Sequence, residues 1–220
     1  GVYKGQPHMA PYVYREDSVV KSTFLFEGGN NYFMEDWYII PVQLQEPYWS
    51  DPYHETSAGQ EDVLMITYSV PFFTQRDVKR VVAGVTKVDI SLRWINNLME
   101  SLAVYQTGYG FLITNSGRYV YHPDQRLRMN ETTFSAMDDW IVSNKDLSTA
   151  EADTIRNQQF NVYRKMLAGE SGLFMDSFMF PDWEEKAWFA YVPIRANQWS
   201  LALIYPRDEA LAEVRSLNTI

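Results

Sequence analysis

Aromatic residues alternate with carboxylates along the stretch from Trp37 to Asp89, over about fifty residues. Aromatic faces and carboxylates can hold an ammonium group, through cation–π attraction of about 0.5–2 kcal/mol per ring and charge-assisted hydrogen bonds. Proline and glycine interrupt the stretch as they do between strands and turns. The pattern therefore favours a small concave pocket over a bare core, and it points to binding rather than to catalysis.

The same side chains are also compatible with an enzyme, because paired carboxylic acids and aromatic side chains that stack on sugars are typical of glycoside hydrolases. The sequence contains no nucleophile elbow, no glycine-rich phosphate loop and no Ser-His-Asp order to accompany them. We therefore expect the chain itself not to be an enzyme. A secreted carbohydrate-active enzyme is kept as an alternative, and an adhesion or scaffold module without a pocket is another.

The histidines do not form a metal-binding pattern. His8, His54 and His122 lie far apart in sequence, and none belongs to a His-x-x-x-His pair. The tripeptide His122-Pro123-Asp124 predicts a turn. Cysteine is absent, which excludes disulfides and thiolate ligands. We predict neither a metal nor any other cofactor.

Composition argues against nucleic acid as a partner. Nineteen Lys and Arg against 28 Asp and Glu give a net charge of −9, which repels phosphate backbones.

With 46% hydrophobic residues, the 220-residue chain can bury a real core as one large domain or two small ones. No apolar run of about eighteen residues and no signal-peptide pattern is present, so the chain is predicted to be soluble as given. An excised piece of a membrane protein would show the same pattern.

Strand patterns dominate the first half of the chain. The predicted strands are Tyr12–Tyr14 and Val19–Phe26, which form a hairpin, and Val63–Val70 and Val81–Asp89, which are rich in β-branched residues. Together they predict an antiparallel sheet. After Asp89 the apolar residues fall at helical spacing, which predicts a helix of about four turns from Ser91 to Leu102.

The second half repeats this plan. The predicted strands are Tyr109–Thr114, Arg118–His122, Gly172–Phe180, Lys186–Pro193 and Trp199–Tyr205. The predicted helices are Phe134–Ser143, Ala150–Leu167 and Asp208–Leu217. Gly117 supplies the positive φ of a tight hairpin, and Gly169 is predicted to cap a helix at its C-terminus. The sequence thus predicts two sheet-plus-helix modules joined by the helix from Ser91 to Leu102.

The order of these fragments resembles the double Cache (dCache) sensor domain of bacterial transmembrane receptors. The residues that carry the resemblance are Trp37-Tyr38, Trp49, Pro52-Tyr53, Ile66 to Pro71, Gly84-Val85, Asp89-Ile90, Gly108 to Ile113, Gly117, His122-Pro123-Asp124 and Trp199-Ser200-Leu201. The resemblance implies an α+β fold of two stacked PAS-like modules, each an antiparallel sheet with flanking helices, joined by a helix. The implied boundaries are a membrane-distal module with the connecting helix at 1–102, a membrane-proximal module at 103–207 and an exit helix toward a transmembrane segment at 208–220.

The resemblance also implies a function in signal transduction, as in two-component systems. Such a domain is the periplasmic part of an inner-membrane protein, binds a small molecule in its distal module and passes a conformational change to a cytoplasmic output domain. A finer similarity, to sensors attached to HAMP linkers and PP2C-type serine phosphatases, is carried by Trp49 to Tyr53, Thr67 to Phe72, Asn130-Glu131-Thr132 and Gly169 to Gly172. The long helix that precedes the first strand in the family is largely or wholly absent here, and the family implies a homodimer through that helix.

The resemblance, together with the neighbouring aromatic residues, assigns a ligand site. Its residues are Trp37, Tyr38, Tyr53, Glu55, Tyr68 and Asp89. In family members that bind amino acids, an Arg two positions before Trp-Tyr holds the ligand carboxylate, and Glu35 stands at that position here. This reversal favours a small cationic or zwitterionic amine, with a small carboxylate held by Arg15, Lys21 or backbone amides as the competing ligand. Asp89 has a second interpretation, as the N-cap of the following helix.

Overall fold

The structure is a computed structural model that describes residues 10–16, 18–24, 32–55, 63–128, 131–180 and 183–217. The chain divides into two compact units. One is made of the described residues up to 48 together with 69–86, and the other of 49–68 together with the described residues from 87 onward. The secondary structure is α+β with antiparallel sheets, which confirms the predicted fold class. Within the described ranges, no helix is long and apolar enough to cross a membrane.

Two strands near the beginning pair as the sequence predicts. β1 (Pro11–Glu16) and β2 (Val19–Phe24) form an antiparallel hairpin in which Tyr14 lies opposite Lys21. The last two residues of the predicted second strand, 25 and 26, lie outside the described residues.

A helix that the sequence patterns did not predict follows this hairpin. A 3-10 turn (Tyr32–Met34) leads into α1 (Asp36–Leu44), and Gln45 ends α1 with a left-handed φ of 57°. Pro41 lies inside α1, where its ring removes a backbone N–H that a helix would otherwise use. Trp37 and Tyr38 therefore lie on a helix and not among strands and turns.

A four-stranded sheet is built around one long strand. Its strands are β3 (Tyr48–Trp49), β4 (Tyr53–Glu55), β5 (Val63–Arg76) and β6 (Lys79–Ser91). All three of the other strands pair with β5, and β4 runs antiparallel to it with Tyr53 opposite Met65. The β5–β6 hairpin turns at Asp77, whose φ is 54°. Both predicted strands are present, and each is longer than predicted.

The helix after β6 is shorter than the sequence predicts. α2 spans Arg93–Glu100, eight residues instead of the predicted Ser91 to Leu102. Ser101 follows it, and its Oγ donates to the carbonyl oxygen of Leu98 at 2.6 Å. Such a side-chain bond competes with continued helix at this end. The N-cap of α2 is Leu92, so the interpretation of Asp89 as the N-cap was wrong.

A five-stranded antiparallel sheet forms the centre of the second half. Its strands are β7 (Tyr109–Ile113), β8 (Tyr119–Tyr121), β9 (Gly172–Phe180), β10 (Trp183–Ile194) and β11 (Trp199–Pro206). They lie in the order β8-β7-β11-β10-β9. Gly117 adopts a φ of 85° in the β7–β8 turn, the left-handed conformation predicted for it.

Three helices accompany this sheet, as predicted. They are α3 (Thr133–Ser143), α4 (Thr149–Leu167) and α5 (Arg207–Leu217). Capping boxes begin α3 and α4: Thr132 pairs with Ser135 and Ser148 pairs with Glu151. These reciprocal bonds satisfy backbone N–H groups that the first helical turn leaves open.

Two buried apolar clusters hold this unit together. The first lies between the sheet and α3 and α4 and contains Phe111, Ile113, Tyr119, Ala136, Val162, Tyr163, Met166, Ala187, Phe189, Tyr191, Ala202 and Ile204. The second contains Ile66, Leu92, Ile95, Met99, Leu112, Val120, Tyr121 and Trp199. The second cluster joins α2 and the beginning of β5 to the five-stranded sheet, so α2 is fixed by burial of one apolar face.

Candidate functional site

The carboxylate of Asp89 lies at the centre of a polar cluster formed by three adjacent strands. Thr67 Oγ1 donates to Asp89 Oδ1 at 2.7 Å, and the Tyr53 hydroxyl lies 3.3 Å from the same oxygen. Tyr53 and Thr67 are themselves hydrogen-bonded through their hydroxyls at 2.9 Å. Because Tyr53 pairs with Met65, and alternate residues of a strand share a face, Thr67 lies on the face of β5 that carries this cluster.

A lysine that the sequence analysis missed completes the cluster. Lys87 Nζ lies 3.0 Å from each oxygen of Asp89, and the two side chains are only 17% and 9% exposed. Lys87 precedes Asp89 by two residues in β6, so the strand period places both on one face. The two-residue spacing of Lys87 and Asp89 within a predicted strand was the signal from which the pair could have been predicted. Asp89 is therefore ion-paired and is not a free carboxylate.

Two hydrogen bonds to Ser50 fix the position of Thr67. The Ser50 N–H donates to the Thr67 carbonyl oxygen at 2.9 Å, and the Thr67 N–H donates to Ser50 Oγ at 2.8 Å. The next residue, Asp51, accepts from Ser116 Oγ at 2.7 Å and lies 3.5 Å from Arg118 Nε. The segment that follows β3 is thus bound to β5 on one side and to the β7–β8 turn on the other.

Tyr68, another predicted site residue, does not join the Asp89 cluster. It follows Thr67 in β5, so its side chain lies on the opposite face of that strand. Its ring packs against Trp49 with centroids 4.4 Å apart, and Trp49 in turn contacts the buried Trp199. These contacts give Tyr68 a place beside the second apolar cluster, and a role in ligand binding stays a prediction.

Trp37 and Tyr38 belong to an aromatic cluster in the other compact unit. Trp37 stacks on Tyr32 at 5.8 Å, and Tyr38 packs edge-on against Tyr32 and Phe33 at 5.0 and 5.1 Å. Burial, and to a smaller extent the neighbouring Tyr38, raises the pKa of the Tyr32 hydroxyl above its ordinary value. Glu35 is exposed at the N-terminus of α1. A ligand contact for Trp37 and Tyr38 remains a prediction.

Glu55 lies at the end of β4, with its backbone opposite Val63. Its side chain is outside the described part of the structure, so its predicted ligand contact is untested.

The predicted turn at His122 holds a buried imidazole. His122 is 2% exposed, its Nδ1 accepts from the Asp124 N–H at 3.1 Å, and its ring packs edge-on against Tyr109 and Tyr119. A hydrogen bond from Arg126 to Asp124 lowers the pKa of that carboxyl. Among the residues that the structure describes, no group of three or more His, Asp or Glu could hold a metal ion.

An apolar groove of about 420 Å³ lies in the segment after α2. It is lined by Leu102, Ala103, Val104, Tyr105, Leu201, Leu203 and Tyr205. Its polar side-chain atoms are two tyrosine hydroxyls, and it contains no carboxylate or cation that could orient a small charged ligand. The Asp89 cluster is therefore the better candidate site for such a ligand.

The first part of the chain is similar to a family of sensor domains. Residues 2–97 match the family described as methyl-accepting chemotaxis protein-like, first PDC sensor domain. The chain is 31% identical over 91 residues to the methyl-accepting chemotaxis protein PscA of Pseudomonas syringae pv. tomato. That match covers 41% of this chain and 13% of PscA, so the chain spans a small part of that relative's length.

Solved structures extend the likeness of fold to nearly the whole chain. The extracellular domain of a histidine kinase, mmHK1S-Z3, has a TM-score of 0.67 at 20% identity, covering 94% of this chain and 65% of that one. The ligand-binding domain of the amino acid chemoreceptor PctB of Pseudomonas aeruginosa PAO1, solved with L-Gln, has a TM-score of 0.53 at 17% identity, covering 95% and 74%. The chain therefore shares the fold of these chemoreceptor and histidine kinase domains.

Proposed function

We propose that the chain is the extracytoplasmic ligand-sensing domain of a bacterial signal-transduction receptor. Its ligand is a small amine or amino-acid-like molecule, bound in the N-terminal module. The observation that carries this proposal is the nearly buried Asp89 carboxylate with Tyr53, Thr67 and Lys87 around it. All four residues fall within residues 2–97, the range that matches the sensor family.

The chemistry of the cluster suits an ammonium group. A carboxylate forms short, charge-assisted hydrogen bonds with ammonium donors, and the surrounding hydroxyls orient it for them. PctB, which shares the fold, is an amino acid chemoreceptor solved with L-Gln. That this chain also binds an amino-acid-like ligand is part of the proposal.

A small carboxylate is the second candidate ligand, and Lys87 is the observation that favours it. Because Lys87 Nζ contacts both oxygens of Asp89, an ammonium ligand has to compete with it. A carboxylate ligand could instead recruit the lysine as its own partner.

Signal transmission in this proposal follows the chain from the site to the exit helix. β6 carries Asp89 and leads within a few residues into α2, whose apolar face is buried in the second cluster. A shift of the output equilibrium from 1:99 to 99:1 requires about 5.5 kcal/mol of differential binding. We propose a distal module at 1–102, a proximal module at 103–207 and an exit helix from 208, in a membrane-anchored receptor that forms a homodimer through its N-terminal helix.

We further propose that the receptor signals through a HAMP linker to a PP2C-type serine phosphatase. The sensing part itself is periplasmic and has no enzymatic activity in this proposal. It is supported by the motifs around Trp49 to Tyr53 and Gly169 to Gly172. The coding sequence that flanks these 220 residues tests it directly. A kinase or a chemotaxis signalling domain in that position contradicts the phosphatase assignment and leaves the sensor assignment intact.

A thermal-shift screen tests the sensing function itself. The panel contains amines, amino acids, short carboxylates, purines and sugars. A ligand at 100 times its Kd adds about 2.7 kcal/mol, or roughly 5–10 °C in Tm for a chain of this size. We expect a shift from an amine or amino acid that disappears in Asp89→Asn. A shift from carboxylates alone supports the second candidate, and a ligand shift that Asp89→Asn leaves unchanged contradicts this site.

A further inference from the structure

We infer that α2 and the apolar groove that follows it form a surface for self-association, whose partner is a second copy of this chain. The inference goes beyond the proposed function, whose dimer forms through the N-terminal helix of the receptor. In the pair, two α2 helices lie antiparallel across a two-fold axis at Leu98. Trp94 of each copy enters the apolar groove of the other.

α2 presents an apolar strip to solvent on one side. Leu92, Ile95 and Met99 belong to the second apolar cluster and are buried. Trp94 and Leu98 lie about one helical turn apart on another side, and they are 57% and 52% exposed. The helix is therefore apolar on two sides and buried on only one of them. Large apolar side chains that line up on an exposed surface are typical of an interaction site.

The strip runs into the apolar groove without a break. Leu102 extends it by one more turn, because the Leu102 N–H donates to the Met99 carbonyl oxygen at 3.2 Å. Leu102 is exposed and also lines the groove. Tyr105, farther along the same wall, is exposed and has a φ of 55°, which is unfavourable for a large side chain. Its ring packs edge-on against Tyr205 of β11 with centroids 6.2 Å apart, so the two walls of the groove are in contact.

The spacing along the strip makes it complementary to itself. A two-fold axis at Leu98 brings this residue against its own counterpart. The axis also places Trp94, four residues before it, opposite the partner's Leu102, four residues after it. Since Leu102 lines the groove, Trp94 reaches the groove of the other copy. A volume of about 420 Å³ is in the range that holds a small organic molecule, and hence an indole ring.

The charges beside the strip favour the antiparallel arrangement. Arg93 and Glu100 lie seven residues apart in α2, which is about two turns, so both are on the same flank of the strip. Like flanks meet in an antiparallel pair, and Arg93 of each copy therefore comes close to the partner's Glu100. Glu100 is exposed and lies 4.0 Å from Arg128 Nη2, so its carboxylate can accept a second cation at the interface.

The size of the surface indicates a weak dimer. Each copy contributes seven large side chains, which are Trp94, Leu98, Leu102, Tyr105, Leu201, Leu203 and Tyr205. An aromatic side chain buries about 150–250 Å², so the total falls toward the low end of specific interfaces, near about 1,200 Å². We therefore expect a Kd on the order of micromolar or weaker, with Trp94 as the residue that contributes most.

Sedimentation of the 220-residue chain over a range of concentrations tests the inference. We expect the mean mass of wild type to rise from one chain toward two. Trp94→Ala should weaken the dimer by at least about thirtyfold, and Leu98→Glu should abolish it because two like charges then meet at the axis. Val142→Glu is the matched control, since Val142 is an exposed apolar residue of α3, and it should behave as wild type. Circular dichroism and Tm establish that each variant is folded.

The absence of cysteine from the chain allows an independent test of the axis. In Leu98→Cys the two thiols lie across the axis, and copper phenanthroline with oxygen oxidises them to a disulfide when their Cα atoms are within about 7 Å. We expect a covalent dimer from Leu98→Cys and none above background from Val142→Cys. Adding Trp94→Ala to Leu98→Cys should remove the covalent dimer.

Three results overturn the inference and leave the sensing function, which the ligand screen tests, unaffected. A chain that stays monomeric at every concentration leaves the strip to a partner other than a second copy. A dimer that persists in both Trp94→Ala and Leu98→Glu lies on a different surface. Equal loss of the dimer in Val142→Glu shows general charge repulsion and not a contact at Leu98. If Trp94→Ala or Leu98→Glu does not fold, the yield of covalent dimer from Leu98→Cys decides by itself.

Discussion

Asp89 accepts hydrogen bonds from side chains on its own strand and on two neighbouring ones. Of these, the bond from Thr67 Oγ1 is the shortest, at 2.7 Å, and Thr67 is 2% exposed. The same hydroxyl is 2.9 Å from the Tyr53 hydroxyl. Loss of this one oxygen would remove one hydrogen bond from a carboxylate and one from a phenol, in a place where water reaches poorly.

We therefore predict that Thr67→Val destabilises the protein by about 1.5–3 kcal/mol, although valine has nearly the shape of threonine. Urea unfolding at neutral pH measures the change. Thr86→Val is the matched control, because Thr86 is exposed in β6 and its replacement should change stability by no more than about 0.5 kcal/mol. Equal losses in the two variants would show that the Thr67 hydroxyl contributes nothing specific.

The sequence predicted two members of the polar cluster around Asp89 because these residues have recognisable neighbours. Tyr53 and Asp89 were both predicted as site residues, and the structure brings them together. Lys87 and Thr67 were missed because a lysine or a threonine in a strand is ordinarily an exposed residue. Their role depends on which strands are adjacent, since Tyr53 lies 36 positions from Asp89 in the chain. Pairing of that kind follows from strand register, which no local pattern fixes.

At the scale of elements, strands and long helices were predictable and the irregular helices were not. The two hairpins and α3 to α5 follow the predicted patterns, with caps and positive-φ glycines in the expected places. α1 was missed because Pro41 and β-branched residues weaken every local helix preference within it. The length of α2 was overestimated because Leu102 continues the apolar spacing beyond Ser101, where the helix has already ended.

One contact between elements connects the segment after α2 to the exit helix. Glu209, in the first turn of α5, accepts from the Gln106 N–H at 2.7 Å and from Thr107 Oγ1 at 2.5 Å. The hydrogen bond from the Thr107 side chain, followed by that from the Gln106 backbone, lowers the pKa of Glu209 below its ordinary value of 4.5. The segment after α2 is thus joined to the first turn of α5 through the Glu209 carboxylate.

The sign of the pH dependence follows from this lowered pKa. The bonds favour the ionised form in the folded state, so they stabilise the protein above pH 4.5, and this stabilisation is lost as the pH falls through the lower folded-state pKa. We predict that Glu209→Gln is less stable than wild type at pH 7 and that the difference shrinks toward pH 3. Urea midpoints across that range measure it. In a Thr107→Val background the difference should be smaller at every pH, and a difference that grows on acidification would contradict the assignment.

At the scale of the whole molecule, we expect the second apolar cluster to determine which parts unfold together. It combines Ile66 of β5, Leu92 and Ile95 at α2, and Leu112 of β7 in one buried set. Strands that are distant in sequence therefore share a core with the five-stranded sheet. Since cooperative units follow buried contacts, the start of β5 should unfold together with β7.

Leu92 and Leu98 provide a matched test of this shared core. Leu92 is fully buried and Leu98, six residues later, is 52% exposed. Leu92→Ala should cost about 2–5 kcal/mol, because it removes buried methyl groups and leaves a cavity, whereas Leu98→Ala should cost no more than about 0.5 kcal/mol. In native-state hydrogen exchange, Leu92→Ala should lower protection at Ile66 and Leu112 by the same free energy. Reduced protection at Ile66 with Leu112 unchanged would mean that the two strands open independently, and that α2 does not couple β5 to the five-stranded sheet.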